Sequence, residues 1–271
     1  MSERAANEAL TVPELIAFKR RGERIAALTA YDASMAALAD RAGVELVLVG
    51  DSLGMVVQGH KSTLPVRLEE IAYHTAAVRR GLGRALLVAD LPFLSYADRP
   101  AAFAAARRLV GECGAAMLKL EGARYVVEIV AALVEREVPV CGHLGLTPQS
   151  VLRLGGYRLQ AREAEARERL AADARALVDA GISALVLECV PAELAARLAR
   201  ELPVPVIGIG AGAGCDGQIL VSYDLLGISP GRRPRFCRDF LAGRGSVAEA
   251  FAAYVRAVKE GEFPAPEETL A

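Results

Sequence analysis

The sequence predicts an α/β protein folded as a single-domain (β/α)8 TIM barrel, and three observations carry that expectation. Eight short apolar runs alternate with stretches of helical spacing across residues 25–221. The spacing is fairly even over 1–271, with no linker-like, low-complexity or repeated segment, which favours a closed barrel over an open sheet or two small domains. Four runs stop at a carboxylate: LVLVGD at Asp51, ALLVAD at Asp90, AMLKLE at Glu121 and ALVLE at Glu188. Ligands bind at the carboxyl ends of strands in parallel α/β folds, so separate strands there deliver acids to one rim.

In chain order, Thr11 caps a helix over about 12–21, with Pro13 in its first turn and Leu15, Ile16 and Phe18 on an apolar side that closes the barrel's bottom. Residues 25–30 read as the first strand and 34–42 as an alanine-rich helix ended by Gly43. Val47, Leu48 and Val49 suit a strand buried on both faces, and Gly50 lets the chain turn out of the sheet to present Asp51 and Ser52. The polar loop 58–65 is long enough to cover a site. Helices over 68–80, 100–113 and 124–137 separate strands over 85–90, 116–121 and 139–143. A loop rich in glycine then spans 144–160, followed by a charged helix over 163–180, a strand over 184–188 and a helix over 191–201. Strands over 204–209 and 218–221 complete the eight, and a last helix covers about 246–260.

Composition excludes several functions. A formal charge of -1 gives no global attraction to nucleic acid or to an anionic membrane. No apolar run approaches the roughly 20 residues of a membrane span, and the opening MSERAANEAL is charged, unlike a signal sequence. A cytoplasmic protein is expected. The five cysteines are an odd number without a C-x-x-C pair, which points to packed, reduced thiols instead of a zinc site or disulfide framework.

If the second, third and fourth strands are neighbours, Asp51, Asp90 and Glu121 meet and offer hard oxygen ligands suited to Mg²⁺ or a similar ion. Lys119 and Glu121 are two apart on one strand, so both face the barrel interior. A lysine there needs an anionic partner, and a substrate carboxylate beside a metal would serve. Glu188, on the sixth strand, is then free to act as a base. Blander readings stand beside these. An acid at a strand end is commonly a helix cap, and Ser52 also fits turn chemistry. His143 suits a substrate contact or a core histidine bonded to backbone and stays outside the catalytic set. His60 is a lid-loop candidate and His74 structural. The glycines at 208, 210, 212 and 214 fail the dinucleotide spacing, and the charges over 163–175 read as a solvated helix face.

The segments VGDSLGM at 49–55, VQGH at 57–60 and STLPV at 62–66 resemble the ketopantoate hydroxymethyltransferase family. The likeness continues through YHTAAVRRG at 73–81, ADLPF at 89–93, CGHLGLTPQS at 141–150, LECVP at 187–191, and IGIGAG with DGQILV over 207–221. It covers nearly the whole chain. The resemblance implies a Mg²⁺-dependent barrel of the phosphoenolpyruvate/pyruvate type, assembled as a homodecamer. Its reaction moves a one-carbon unit from 5,10-methylenetetrahydrofolate to 3-methyl-2-oxobutanoate, giving 2-dehydropantoate in pantothenate biosynthesis, by metal-stabilised enolate formation and aldol-type attack. By that resemblance Asp51 and Asp90 look like metal ligands, with Glu121 as a third carboxylate near the ion. Asp51, Ser52 and Asp90 contact the keto acid, Lys119 partners its carboxylate, and Glu188 accepts the proton. Ala123, where a second glycine often follows the acid, and Lys61, between VQGH and STLPV, depart from the family pattern and bear on loop shape and folate affinity. The rivals are another Mg²⁺-dependent C–C lyase or mutase of the same barrel type, whose cysteine motif beside the metal acids is missing here, and a catalytically silent barrel, disfavoured because no rim acid is lost.

Overall fold

A computed structural model describes residues 9–231 and 233–270, so most of the charged opening segment lies outside the described residues. Eight parallel strands close into a barrel in sequence order, with β8 pairing back onto β1. They are β1 (Ile25–Thr29), β2 (Leu46–Val49), β3 (Leu86–Asp90), β4 (Met117–Glu121), β5 (Val140–Gly145), β6 (Ala184–Glu188), β7 (Val206–Ile209) and β8 (Gly217–Leu220). Outside them run α1 (Val12–Arg20), α2 (Ala33–Ala42), α3 (Leu53–Val56), α4 (Leu68–Gly81), α5 (Arg99–Ala106), α6 (Tyr125–Val134), α7 (Val151–Leu154), α8 (Ala164–Asp179), α9 (Ala192–Glu201), α10 (Ser222–Leu225) and α11 (Val247–Glu260). Among the described residues no helix is long and apolar enough to cross a membrane.

The strands read as continuous apolar runs because both of their faces are covered. Val47, Leu87, Leu118 and Leu185 point outward into the layer beneath the helices. Their neighbours Leu46, Leu48, Leu86, Val88, Met117 and Val186 fill the barrel. Period two continues along each strand, so the next inward positions at the top are Asp90, Lys119, Glu121, His143 and Glu188. Apolar side chains thus fill the bottom of the barrel and polar ones its mouth. Leu15 and Phe18 of α1 pack into the lower interior cluster, as the sequence led us to expect, with Thr11 N–H donating to Glu14 at 2.8 Å across the helix start.

Several local features differ from the sequence reading. The helix expected over 100–113 begins at Arg99, where Asp98 accepts from the Ala101 N–H at 2.8 Å, and after Ala106 it widens into a π-helical turn over Arg107–Glu112. The short helices α3, α7 and α10 were not legible, because four residues are too few to show a period. Gly81 is the last residue of α4 instead of the residue after it, and its role is packing: a Cβ there would lie 2.2 Å from the Ala33 carbonyl oxygen of α2.

Candidate active site

Strand register assembles the site. Asp90 pairs with Lys119 across β3 and β4, and Glu121 pairs with His143 across β4 and β5. Lys119 Nζ therefore lies 2.9 Å from Asp90 Oδ1 and 3.8 Å from Glu121 Oε1. Asp51, one residue past the Gly50 turn, donates its backbone N–H to Asp90 Oδ2 at 3.2 Å. The three acids from β2, β3 and β4 do converge, and Lys119 stands among them. All four are buried. Ser52 lies beside them with its hydroxyl 2.9 Å from that of Tyr31, whose backbone carbonyl is 2.6 Å from His74 Nδ1, so His74 is a structural contact. Thr63 of the expected covering loop is also buried.

Glu188 reaches the cluster through His143. The imidazole Nε2 is 3.2 Å from Glu188 Oε2, close without being aligned as a hydrogen bond, and Nδ1 is 3.0 Å from Lys119 Nζ. Sequence reasoning left His143 outside the catalytic set because a core histidine and a site histidine look alike in a strand; the register opposite Glu121 separates them. Gln149 was missed altogether. It sits in the helical turn Pro148–Ser150, buried over the rim, and bonds Asp51, Leu91 and Tyr96 with its side chain and Glu121 with its backbone. It lies in the CGHLGLTPQS block at 141–150, but nothing in that block singles out Gln149 from its neighbours.

Charge balance governs protonation. Burial, and then the neighbouring Asp90 and Glu121 charges, push the Asp51 carboxyl well above the usual range. Burial likewise raises Asp90 and Glu121, against the pull of the Lys119 ammonium. For Lys119 burial works toward a lower value, yet Asp90, Glu121 and Asp51 together outweigh it and hold the ammonium charged. Burial followed by the Lys119 charge lowers His143, so the imidazole is neutral. The Cys141 thiol beneath it is pushed up to about 12 by burial and offers no thiolate.

Among the described residues no three His, Cys, Asp or Glu side chains form a preset metal-holding group. The donor set nevertheless fits a divalent cation. Three carboxylates face one ammonium, an excess of two negative charges when all are ionised, and Glu121 Oε1 accepts no hydrogen bond. Such an ion would offset the burial that raises the three acids and relieve the repulsion that adds to it at Asp51 and Asp90.

The family model for ketopantoate hydroxymethyltransferase matches residues 9–266. The chain belongs to the ketopantoate hydroxymethyltransferase family. It is 58% identical over 260 residues to the 3-methyl-2-oxobutanoate hydroxymethyltransferase of Xylella fastidiosa (strain 9a5c), covering 96% of this chain and 95% of the relative. The enzyme of the same description from Xanthomonas axonopodis pv. citri (strain 306) is 57% identical over 272 residues, covering 100% of each. Among solved structures, a phosphoenolpyruvate phosphomutase from Streptomyces platensis subsp. rosaceus superposes with a TM-score of 0.61 at 15% identity, over 80% of this chain and 83% of that one. A phosphonopyruvate hydrolase in complex with oxalate and Mg²⁺ gives 0.61 at 14% identity, over 93% and 99%. At such identities what these two share with this ketopantoate hydroxymethyltransferase family member is the barrel fold.

Proposed function

We propose that this chain transfers the one-carbon unit of 5,10-methylenetetrahydrofolate to 3-methyl-2-oxobutanoate, giving 2-dehydropantoate for pantothenate and coenzyme A biosynthesis. One observation supports this above all: Lys119 stands between a buried three-carboxylate cluster and the His143 and Glu188 pair, all at one rim. A small α-keto acid needs those three functions together, namely a cation for its carboxylate, polarisation of its carbonyl and a base for the adjacent carbon.

In this reading Asp51 and Asp90 hold Mg²⁺ or a similar divalent ion, with Glu121 as the third carboxylate nearby. The ion, when bound, supplies Lewis-acid polarisation of the keto group. Lys119 neutralises the substrate carboxylate, and Ser52 and the VGDS turn fix its orientation with Asp51 and Asp90. Glu188 removes the proton from C3, and the released electron pair forms the new bond to the folate methylene carbon. The methylene carbon's bond to N10 breaks as the new bond forms, water supplies the hydroxyl oxygen as that carbon's remaining bond to N5 breaks, and the C3 proton and one water proton pass to the two nitrogens, leaving tetrahydrofolate. His143, neutral between Lys119 and Glu188, keeps the carboxylate facing the substrate. We take the chain as one barrel domain working in the cytoplasm within a homodecamer. Five free, buried cysteines support a reducing compartment.

Exchange of the C3 proton of 3-methyl-2-oxobutanoate with D2O, followed by NMR with and without Mg²⁺ and tetrahydrofolate, tests the reading. The expected outcome is exchange of that proton that depends on the ion. Glu188→Gln retains ion and keto-acid binding and loses exchange by about 10²–10⁴-fold, the usual worth of a positioned base. Unchanged exchange in that variant removes Glu188 as the base.

A further inference from the structure

We propose that Gln149 is a positioning residue that fixes the Asp51 and Glu121 carboxylates in the orientation from which they take up a divalent cation. The inference rests on the ligand reading given above. Gln149 Nε2 donates to Asp51 Oδ2 and to the Leu91 carbonyl, both at 2.9 Å, and its Oε1 accepts from the Tyr96 hydroxyl at 2.7 Å. Its backbone N–H donates to Glu121 Oε2 at 3.0 Å. One residue after β5 thus ties together the ends of β2, β3 and β4.

The amide has only one workable orientation. The Leu91 carbonyl is an acceptor in every protonation state, so the nitrogen end must face it, and the same nitrogen then meets Asp51. A turned amide would set oxygen against oxygen at 2.9 Å and leave the Tyr96 hydroxyl facing an N–H group. Both side-chain N–H groups and the carbonyl are in use, with the Tyr96 hydroxyl also 3.4 Å from the Glu121 backbone carbonyl. A buried amide satisfied at every atom has no alternative partner and holds its neighbours still. It also selects which oxygens stay available. On Glu121 the oxygen engaged by Gln149 is Oε2, and the other, Oε1, accepts no hydrogen bond. Supporting hydrogen bonds of this kind orient carboxylates that bind metals, and removing one typically weakens affinity by about 10–100-fold.

A tie that served the fold alone would affect unfolding and leave ion affinity of the folded protein unchanged, so the two are measured separately. Mn²⁺ binding to the metal-free protein is followed by electron paramagnetic resonance, well below the unfolding midpoint of each variant, for wild type, Gln149→Met, Tyr96→Phe and Asp51→Asn. The inference expects Gln149→Met to raise the Mn²⁺ Kd about 10–100-fold. If Gln149→Met does not fold, Tyr96→Phe carries the test, because it frees the amide oxygen while keeping the ring: a Kd raised severalfold supports the inference and an unchanged Kd overturns it. Weakened Mn²⁺ binding in Asp51→Asn beside wild-type binding in Gln149→Met overturns the role of Gln149 alone. Wild-type binding in Asp51→Asn removes the ligand reading and this inference with it.

Discussion

The Nδ1 atom of His143 lies 3.0 Å from the Lys119 ammonium, and that contact sets the tautomer of the ring. Lysine has hydrogens to donate and no acceptor, and the surrounding acids hold it charged, so Nδ1 accepts. Burial keeps the imidazole neutral, which leaves its one hydrogen on Nε2, the atom 3.2 Å from Glu188 Oε2. The ring N–H is thus on the side of the imidazole that faces the Glu188 carboxyl. His143→Gln removes the link while conserving polarity. Exchange at C3 should fall by up to about 100-fold, the cost of misplacing a reacting group by an ångström, with a smaller change in keto-acid KM. A rate of exchange equal to wild type would show that Glu188 needs no such support.

Lys119 is the only ammonium in contact with the acid cluster among the described residues. Lys119→Met removes one partner of a buried ion pair and leaves Asp90 uncompensated. Denaturant unfolding of the metal-free variant should show a loss of about 3–5 kcal/mol, and keto-acid KM should rise as the substrate carboxylate loses its counter-charge. Saturating Mg²⁺ should restore part of the stability, since it supplies positive charge to the same acids.

The pH dependence follows from the raised carboxyls. Asp51, Asp90 and Glu121 bind protons more tightly folded than unfolded, where they return to the ordinary range near 4. Protonation is then favoured by folding, so their contribution to stability is present at low pH and is lost as pH rises through the raised folded values. The thermal midpoint of metal-free protein should fall as pH rises above the ordinary carboxylate range, and more steeply than that of Asp51→Asn, in which one of the three raised groups has been removed. Added Mg²⁺ should raise the midpoint most at the upper end, where the acids are ionised.

Leu15 tests the other end of the barrel. It is fully buried against the lower interior cluster, so Leu15→Ala should cost about 2–5 kcal/mol in urea unfolding. Keto-acid KM of the folded variant should stay at the wild-type value, because the bottom plug and the acid rim are separated by the packed interior layer. A large change in KM would mean that α1 is coupled to the site.

The sequence by itself determined the barrel and most of its mouth. Runs such as LVLV and the LLVA that precedes Asp90 are apolar because helices cover one face and the packed interior the other, and each stops where the chain leaves the sheet. Inward parity follows from a period of two, so Lys119 and Glu121 were legible as interior neighbours, and the family blocks fixed which acids to watch. What only the tertiary structure decided are contacts set by register and by turns without periodicity. His143 acquires its place from pairing opposite Glu121, and Gln149 from a three-residue turn that folds back over the rim. Spacing along one strand fixes where its own side chains point; which atoms they meet depends on how neighbouring strands are offset and where connecting loops return, and those offsets are set by packing of the whole barrel.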